Sequence, residues 1–253
     1  MQKQPALADY DFVIINTSAG KDSQTALAYV VAQADKEAFP RSRLLLAHAD
    51  LGPMEWPGTA ELAATQAAHY GLELARVERS QNLLAHIQAR GMWPSSTNRF
   101  CTSDHKRDQI AKLFTRLASD LAAPGRPCRI LNVMGMRAQE SPARAKLAPL
   151  SRNARVSNGR KLVDNWLPLH SWQLPDVWSS IKASGVPYHK AYDLGMPRLS
   201  CVFCIFSPPA ALMLAGKQHP DLLAQYVDAE KAMGHTFRHK FSLASVQRSH
   251  RPR

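Results

Sequence analysis

The chain has 253 residues, 45% hydrophobic and 21% charged, with a formal net charge of +12, which fits a globule with a real core and excludes a disordered or fibrous chain. No apolar run approaches the roughly 20 residues of a membrane span, and Met1-Gln2-Lys3-Gln4-Pro5 does not open a secretory signal, so a cytoplasmic protein without membrane contact is expected. Four cysteines are too few for a disulfide scaffold and read as metal-binding, catalytic or buried thiols.

Residues 11–16 form a short β-branched apolar run, a buried strand entering a tight loop at Ser18, Ala19 and Gly20. From Lys21 the pattern turns helical through residue 32. A strand at 43–49, a helix at 59–70, a strand at 72–77 and a helix at 82–90 follow. Beyond Pro94 come a helix at 105–121 and a strand at 130–134. This alternation predicts an α/β fold, a parallel sheet sandwiched by helices. Residues 137–161 lack clear periodicity and read as a long basic loop. A helix at 174–182, a Gly/Pro-rich stretch, two short helices at 210–216 and 221–233 and a basic tail complete the chain. Residues 1–165 are expected to form the nucleotide-binding domain. Residues 166–253 should form a helical Cys-x-x-Cys segment packed on it.

The charge is uneven. Residues 1–100 carry 9 Lys/Arg against 10 Asp/Glu, whereas residues 101–253 carry 23 against 10, a net of +13. Seven bases lie between Arg137 and Lys161 with Glu140 as the sole acid, and six follow Glu230 with none. Such asymmetry suggests a polyanionic partner, tRNA or DNA, although a solvated basic face would look the same. Because the first run follows a strand end, it is expected to flank the nucleotide crevice.

Ser18-Ala19-Gly20-Lys21-Asp22-Ser23 lies where a first strand feeds its helix, the position at which doubly wound sheets bind ligands. A glycine there admits a phosphate to the backbone, serines and amides donate hydrogen bonds, and the helix dipole and Lys21 add positive charge. The alternative is a helix that is merely capped. Asp50 suits Mg²⁺ or a ribose, or is a turn residue. Arg137 and Arg144 can clamp a phosphate bidentately, or belong to a solvated loop. His48 and His105 read as structural, and Trp166, Trp172 and Trp178 as core.

Cys201-x-x-Cys204 and Cys101 are expected on the nucleotide rim, and Cys128 at the opposite edge. Three thiolates with an open position suit a [4Fe-4S] cluster. Zinc prefers a fourth ligand that is not obvious here, and a set of buried thiols is the plain alternative.

The loop Ser18–Ser23 resembles the Ser-x-Gly-x-Asp-Ser pyrophosphate loop of the N-type ATP pyrophosphatases. The branch it resembles is the phosphoadenylylsulfate-reductase-like group, on His48-Ala49-Asp50-Leu51-Gly52, Arg99-Phe100-Cys101-Thr102 with Lys106-Arg107, Gly135-Met136-Arg137-Ala138-Gln139-Glu140-Ser141-Pro142-Ala143-Arg144, Asn165 to Trp178, and Tyr192 to Cys204. The resemblance covers about residues 10–206. It implies an adenine-nucleotide hydrolase-like, Rossmann-like sandwich. It also implies ATP with Mg²⁺ at Ser18, Ala19, Gly20, Lys21, Asp22, Ser23, Asp50, Gly135 and Arg144, with Lys21, Asp22 and Arg137 catalytic and Cys101, Cys201 and Cys204 as metal ligands. The activity implied is ATP-dependent, pyrophosphate-releasing sulfur transfer to a nucleic acid through an adenylated intermediate. A sulfur-donor protein such as a cysteine desulfurase would serve as partner, and an oligomer is compatible. Reduction of adenylylsulfate or its 3′-phosphorylated form to sulfite is the alternative. The sequence departs from those reductases in having no cysteine after Cys204 and none paired with Cys101. A non-catalytic nucleotide-binding subunit of a modification complex is the third reading.

Overall fold

A computed structural model describes residues 4–121 and 125–249. The elements are β1 (Phe12–Thr17), α1 (Lys21–Lys36), β2 (Leu44–Asp50), α2 (Thr59–His69), β3 (Glu73–Glu78), α3 (Leu83–Arg90), α4 (Phe100–Thr102), α5 (Asp108–Leu121), β4 (Cys128–Val133), α6 (Pro142–Ala145), β5 (Leu150–Arg152), β6 (Lys161–Trp166), α7 (Leu174–Ser184), α8 (Pro209–Gln218), α9 (Pro220–Met233) and α10 (Leu243–Ser249). Six strands form one sheet in the order β3-β2-β1-β4-β6-β5. β1 pairs parallel with β2 and with β4, and β4 parallel with β6. The strand order reverses beside β1, which makes the carboxyl end of β1 the switch point of an open α/β sheet.

The α/β sandwich follows from the apolar strands. Val13, Ile14 and Ile15 are all fully buried, so β1 is covered on both faces. Val13, Ile15, Leu27, Leu46 and Leu131 join the core on one side, and Ile14, Leu45, Ile130, Phe114 and Val163 the core on the other. Among the described residues no helix is long and apolar enough to cross a membrane.

Two expectations are corrected. The stretch 137–161 is not a featureless loop: it holds a 3-10 turn at Ala138–Glu140, α6 and β5, and it leads directly into β6. The sheet is mostly parallel, as expected, and its edge strand β5 runs antiparallel to β6. Charged residues hid these strands, since Asp164 on β6 accepts from Arg152 Nε at 2.6 Å and Lys161 Nζ donates to Thr115 Oγ1 at 3.0 Å. The tail contains α10, whose start is held by the last acid of the chain. Glu230 accepts from the backbone N–H of Phe237 (2.6 Å), Leu243 (3.1 Å) and Ala244 (3.1 Å) and from Ser242 Oγ (2.7 Å).

The chain divides into two interleaved compact units, not into the consecutive 1–165 and 166–253. One holds the residues up to Ala49, Gly58–Val77 and Ile110–His189, and the other Asp50–Pro57, Glu78–Gln109 and the residues from Lys190. α7 stays with the sheet because Gln24 Nε2 donates to Val186 O at 3.0 Å and Thr25 Oγ1 to Val177 O at 3.4 Å.

In the second unit Trp93 stacks on Tyr226 with ring centroids 5.4 Å apart. Between α4 and α5 the helix widens into a π-turn, Ser103–Arg107, where His105 meets His86 Nδ1 through Nε2 at 2.9 Å. Both rings are buried. Burial lowers the pKa of each, and for His105 burial, then the charge of His86, brings it to about 4. A histidine held neutral in the fold stabilises it above its unfolded pKa near 6.5, and that contribution is lost as pH falls toward 4. The urea midpoint should therefore correspond to about 1–2 kcal/mol less stability at pH 5 than at pH 7. His105→Gln should shrink the difference, and an unchanged pH dependence in that variant would show that the pair is not its source.

Candidate functional site

The phosphate-loop geometry is set by backbone and hydroxyls. Ala19 sits in the left-handed region at φ +51°, a conformation that costs a non-glycine residue roughly 1–2 kcal/mol. Its N–H donates to Thr17 Oγ1 at 2.9 Å, which holds the turn. Ser23 Oγ donates to Gly20 O at 2.9 Å and accepts from Ser18 N at 3.3 Å. No side chain caps α1, so the positive end of its dipole faces the loop. His48 Nδ1 lies 3.1 Å from Thr17 O. On the neighbouring strands an amide ladder runs from Asn16 to Asn132 (2.6 Å) and from Asn132 to Asn165 (2.8 Å).

Asp22 stands between two cations. Lys21 Nζ lies 3.3 Å from its Oδ2 and Arg137 Nε 2.6 Å from its Oδ1, and both basic side chains are almost fully buried. Arg137 Nη1 donates to Gln139 Oε1 at 2.6 Å, and its backbone N–H to Glu140 Oε2 at 2.9 Å. Glu140 also pairs with Arg144 Nη1. The loop and Arg137 meet because Gly135 crosses the first turn of α1: a Cβ there would lie 2.5 Å from Asp22 O and 2.9 Å from Ser23 N. A carboxylate among phosphate-binding groups repels a bare phosphate but suits one that carries a hard cation, and Asp22 is the acid in the first turn of α1.

Cys101, Cys201 and Cys204 belong to the second unit, all as free thiols. Cys201 is pinned by an antiparallel bridge to Glu55, and Val202 N donates to Met54 O at 2.9 Å. Cys101 lies in α4, with its sulfur 3.8 Å from Thr102 Oγ1. Burial raises the Cys101 thiol, with Cys204 adding to it, and burial raises Cys201 to about 12, where both other thiols and Glu55 reinforce it against Lys106. All three sulfurs also reinforce the burial that lifts the Tyr226 phenol. Thiols raised in this way, as Cys101 and Cys201 are, hold their protons alone and release them to a bound cation, so the chemistry of the group is compatible with thiolate ligation of a metal.

The structure thus brings Ser18–Ser23, Gly135, Arg137 and, through Glu140, Arg144 together in one unit, and the three cysteines in the other. Asp50 ends β2, buried, and accepts from Gly52 N at 2.6 Å. Cys128 opens β4, at the end of the sheet away from Gly135, and burial raises it to about 11. The basic run does not all flank the nucleotide loop: Lys161 opens β6 opposite Cys128, and Arg152 is committed to Asp164. Thr17, Gln139 and Glu140 were not singled out as site residues in the sequence. Glu140 stands three residues after Arg137, accepts that residue's backbone N–H at 2.9 Å and donates its own N–H to the Arg137 carbonyl at 3.2 Å.

The sheet, its switch point and the glycine-containing loop on α1 define an α/β protein of the nucleotide-binding kind. The model of the phosphoadenosine phosphosulfate reductase domain matches residues 13–206, and the chain belongs to that family. An uncharacterized protein of Methanocaldococcus jannaschii, MJ0066, is 26% identical over 192 residues, 76% of this chain, which spans 36% of that relative's length. Similar solved folds include phosphoadenylyl-sulfate reductase of Candida auris in a phosphate complex (TM-score 0.50, 19% identity, 78% of this chain and 84% of that one). Another is FMN adenylyltransferase of Candida glabrata with FMN and an ATP analog (TM-score 0.53, 14% identity, 81% and 60%).

Gly135→Ala should be costly, because the nearest atoms are backbone and cannot swing aside. We expect a loss of about 1–3 kcal/mol of stability and at least a tenfold loss of adenine-nucleotide affinity by calorimetry. Wild-type affinity in the variant would show that the 135 backbone does not hold the loop.

Proposed function

We propose that the chain is an ATP-consuming, pyrophosphate-releasing enzyme that transfers sulfur to a nucleic acid through an adenylated intermediate. The observation that carries this reading is Asp22 held between Lys21 and Arg137 at the start of α1. In this reading the loop amides and the dipole of α1 cradle the phosphates, and a substrate oxygen attacks the α-phosphate. The bond to the β-phosphate breaks, and Lys21 and Arg137 neutralise the charge that builds on the leaving pyrophosphate. Asp22 would hold Mg²⁺, which when bound withdraws charge from the phosphate oxygens.

Cys101, Cys201 and Cys204 would hold an iron–sulfur cluster, which when bound would supply the sulfur for transfer. The thiols' contribution is to replace protons with metal. The net +13 beyond residue 100 supports a polyanionic acceptor. Family membership favours a second reading, reduction of a sulfonucleotide to sulfite.

Anaerobically purified protein with ATP and tRNA should release pyrophosphate, and Lys21→Ala should slow release at least a hundredfold while the fold remains intact. Sulfite from a sulfonucleotide, without pyrophosphate from ATP, would replace this reading with the second.

Iron and sulfide analysis tests the thiols. Replacing Cys101, Cys201 or Cys204 singly with Ser should remove the iron, whereas Cys128→Ser should retain it. Equal iron content in all four variants would overturn the assignment.

A further inference from the structure

The second unit contains a cleft of about 500 Å³ that the nucleotide and thiol chemistry above does not use. It is lined by Met92, Trp93, Asn98, Phe206, Phe237 and Arg238, among others, with no acidic side chain among its lining residues. Its floor is rigid: Trp93 is stacked on Tyr226 and donates Nε1–H to His235 O at 3.0 Å. Its wall is exposed. Phe206 keeps 47% of its surface and Met92 41%, an unusual exposure for large apolar side chains. Arg99 lies over the Phe206 ring, its guanidinium carbon 4.7 Å from the centroid. Arg238 fixes the Phe206 segment by donating Nη1–H to Ile205 O (3.2 Å) and Ser207 O (2.8 Å). Arg99 is two residues from Cys101, and Phe206 two from Cys204.

We infer that this cleft takes an unstacked base of the single-stranded acceptor nucleic acid, with the base on Phe206 and the flanking phosphate on Arg99. An aromatic wall with a stacked guanidinium and no acid at its edge matches the flat face of a base joined to an anion. An acidic peptide would meet the same cations but leave Phe206 and Met92 uncovered. A neutral apolar ligand would bring no anion to the Arg99 guanidinium. The volume is within the range of small-ligand clefts and has room for one nucleotide. The inference rests on the nucleic-acid reading above and names where that acceptor is held.

The test compares two labelled probes by fluorescence anisotropy on the intact chain: a single-stranded RNA of about ten nucleotides and an abasic backbone of the same length. Base–aromatic stacking should make the RNA bind about tenfold tighter than the abasic strand. Phe206→Ala should abolish that preference and Phe206→Trp should retain it. Arg99→Gln should weaken both probes, and ATP affinity and iron content should stay at wild-type values in all three variants. Equal binding of the two probes by the wild type, or an undiminished preference in Phe206→Ala, would overturn the cleft and leave the proposed activity standing. No binding of either probe would overturn the nucleic-acid acceptor together with the cleft.

Discussion

One close contact organises the nucleotide-binding unit: the backbone at Gly135 lies against the first turn of α1, where any side chain would strike Asp22 O. It requires that β1 and β4 be neighbours in parallel register, Val13 opposite Leu131 and Ile15 opposite Val133, so that their carboxyl ends emerge side by side. With the two ends adjacent, the segment after β4 passes over the loop after β1, and Arg137 reaches Asp22. The contact is steric and permits one residue type, which makes it a more exacting constraint than any single hydrogen bond of the site.

The charges around that contact alternate. Asp22 serves the side chains of Lys21 and Arg137, and Glu140 pairs with the Arg144 guanidinium while accepting the backbone N–H of Arg137. Burying such a set of charges is costly unless every member is paired, and removing one charge leaves its neighbours uncompensated. In the proposed reading a metal-bound phosphate would add both signs to this site together. The thiol cluster obeys the opposite rule. Burial and the neighbouring sulfurs favour protons on Cys101 and Cys201 in the protein alone, and in the proposed reading a bound metal group would replace them.

The sheet was legible where strands are apolar on both faces. Phe12–Thr17 and Leu44–Asp50 fall within a residue of the ranges read from their β-branched and leucine runs. Lys161–Trp166 was not legible, because Lys161 and Asp164 interrupt the run and find their partners on other elements, Thr115 and Arg152. The tight loop Ser18–Gly20 between β1 and α1 could be read from strand, glycine and helix in succession. The set of charges beyond it could be read only in part, since Gln139 and Glu140 act through contacts that local spacing does not express. The interleaving of the two units was hidden for the same reason: Trp93 and Tyr226 are 133 positions apart and meet only through tertiary structure.

The strand order also bears on biosynthesis. β6 is the last strand to be made, yet it lies between β4 and β5. While the chain grows, β4 has an open edge on that side, Asn132 lacks the amide oxygen of Asn165, and β5 has no pairing partner. At synthesis rates of about 5–20 residues per second, the stretch from Val133 to Trp166 takes roughly 2–7 s to appear. For that interval the nascent sheet presents an unpaired inner strand, the kind of edge that recruits foreign strands. Crowding by neighbouring nascent chains on a polysome would endanger this protein most in that window, before the edge closes from within.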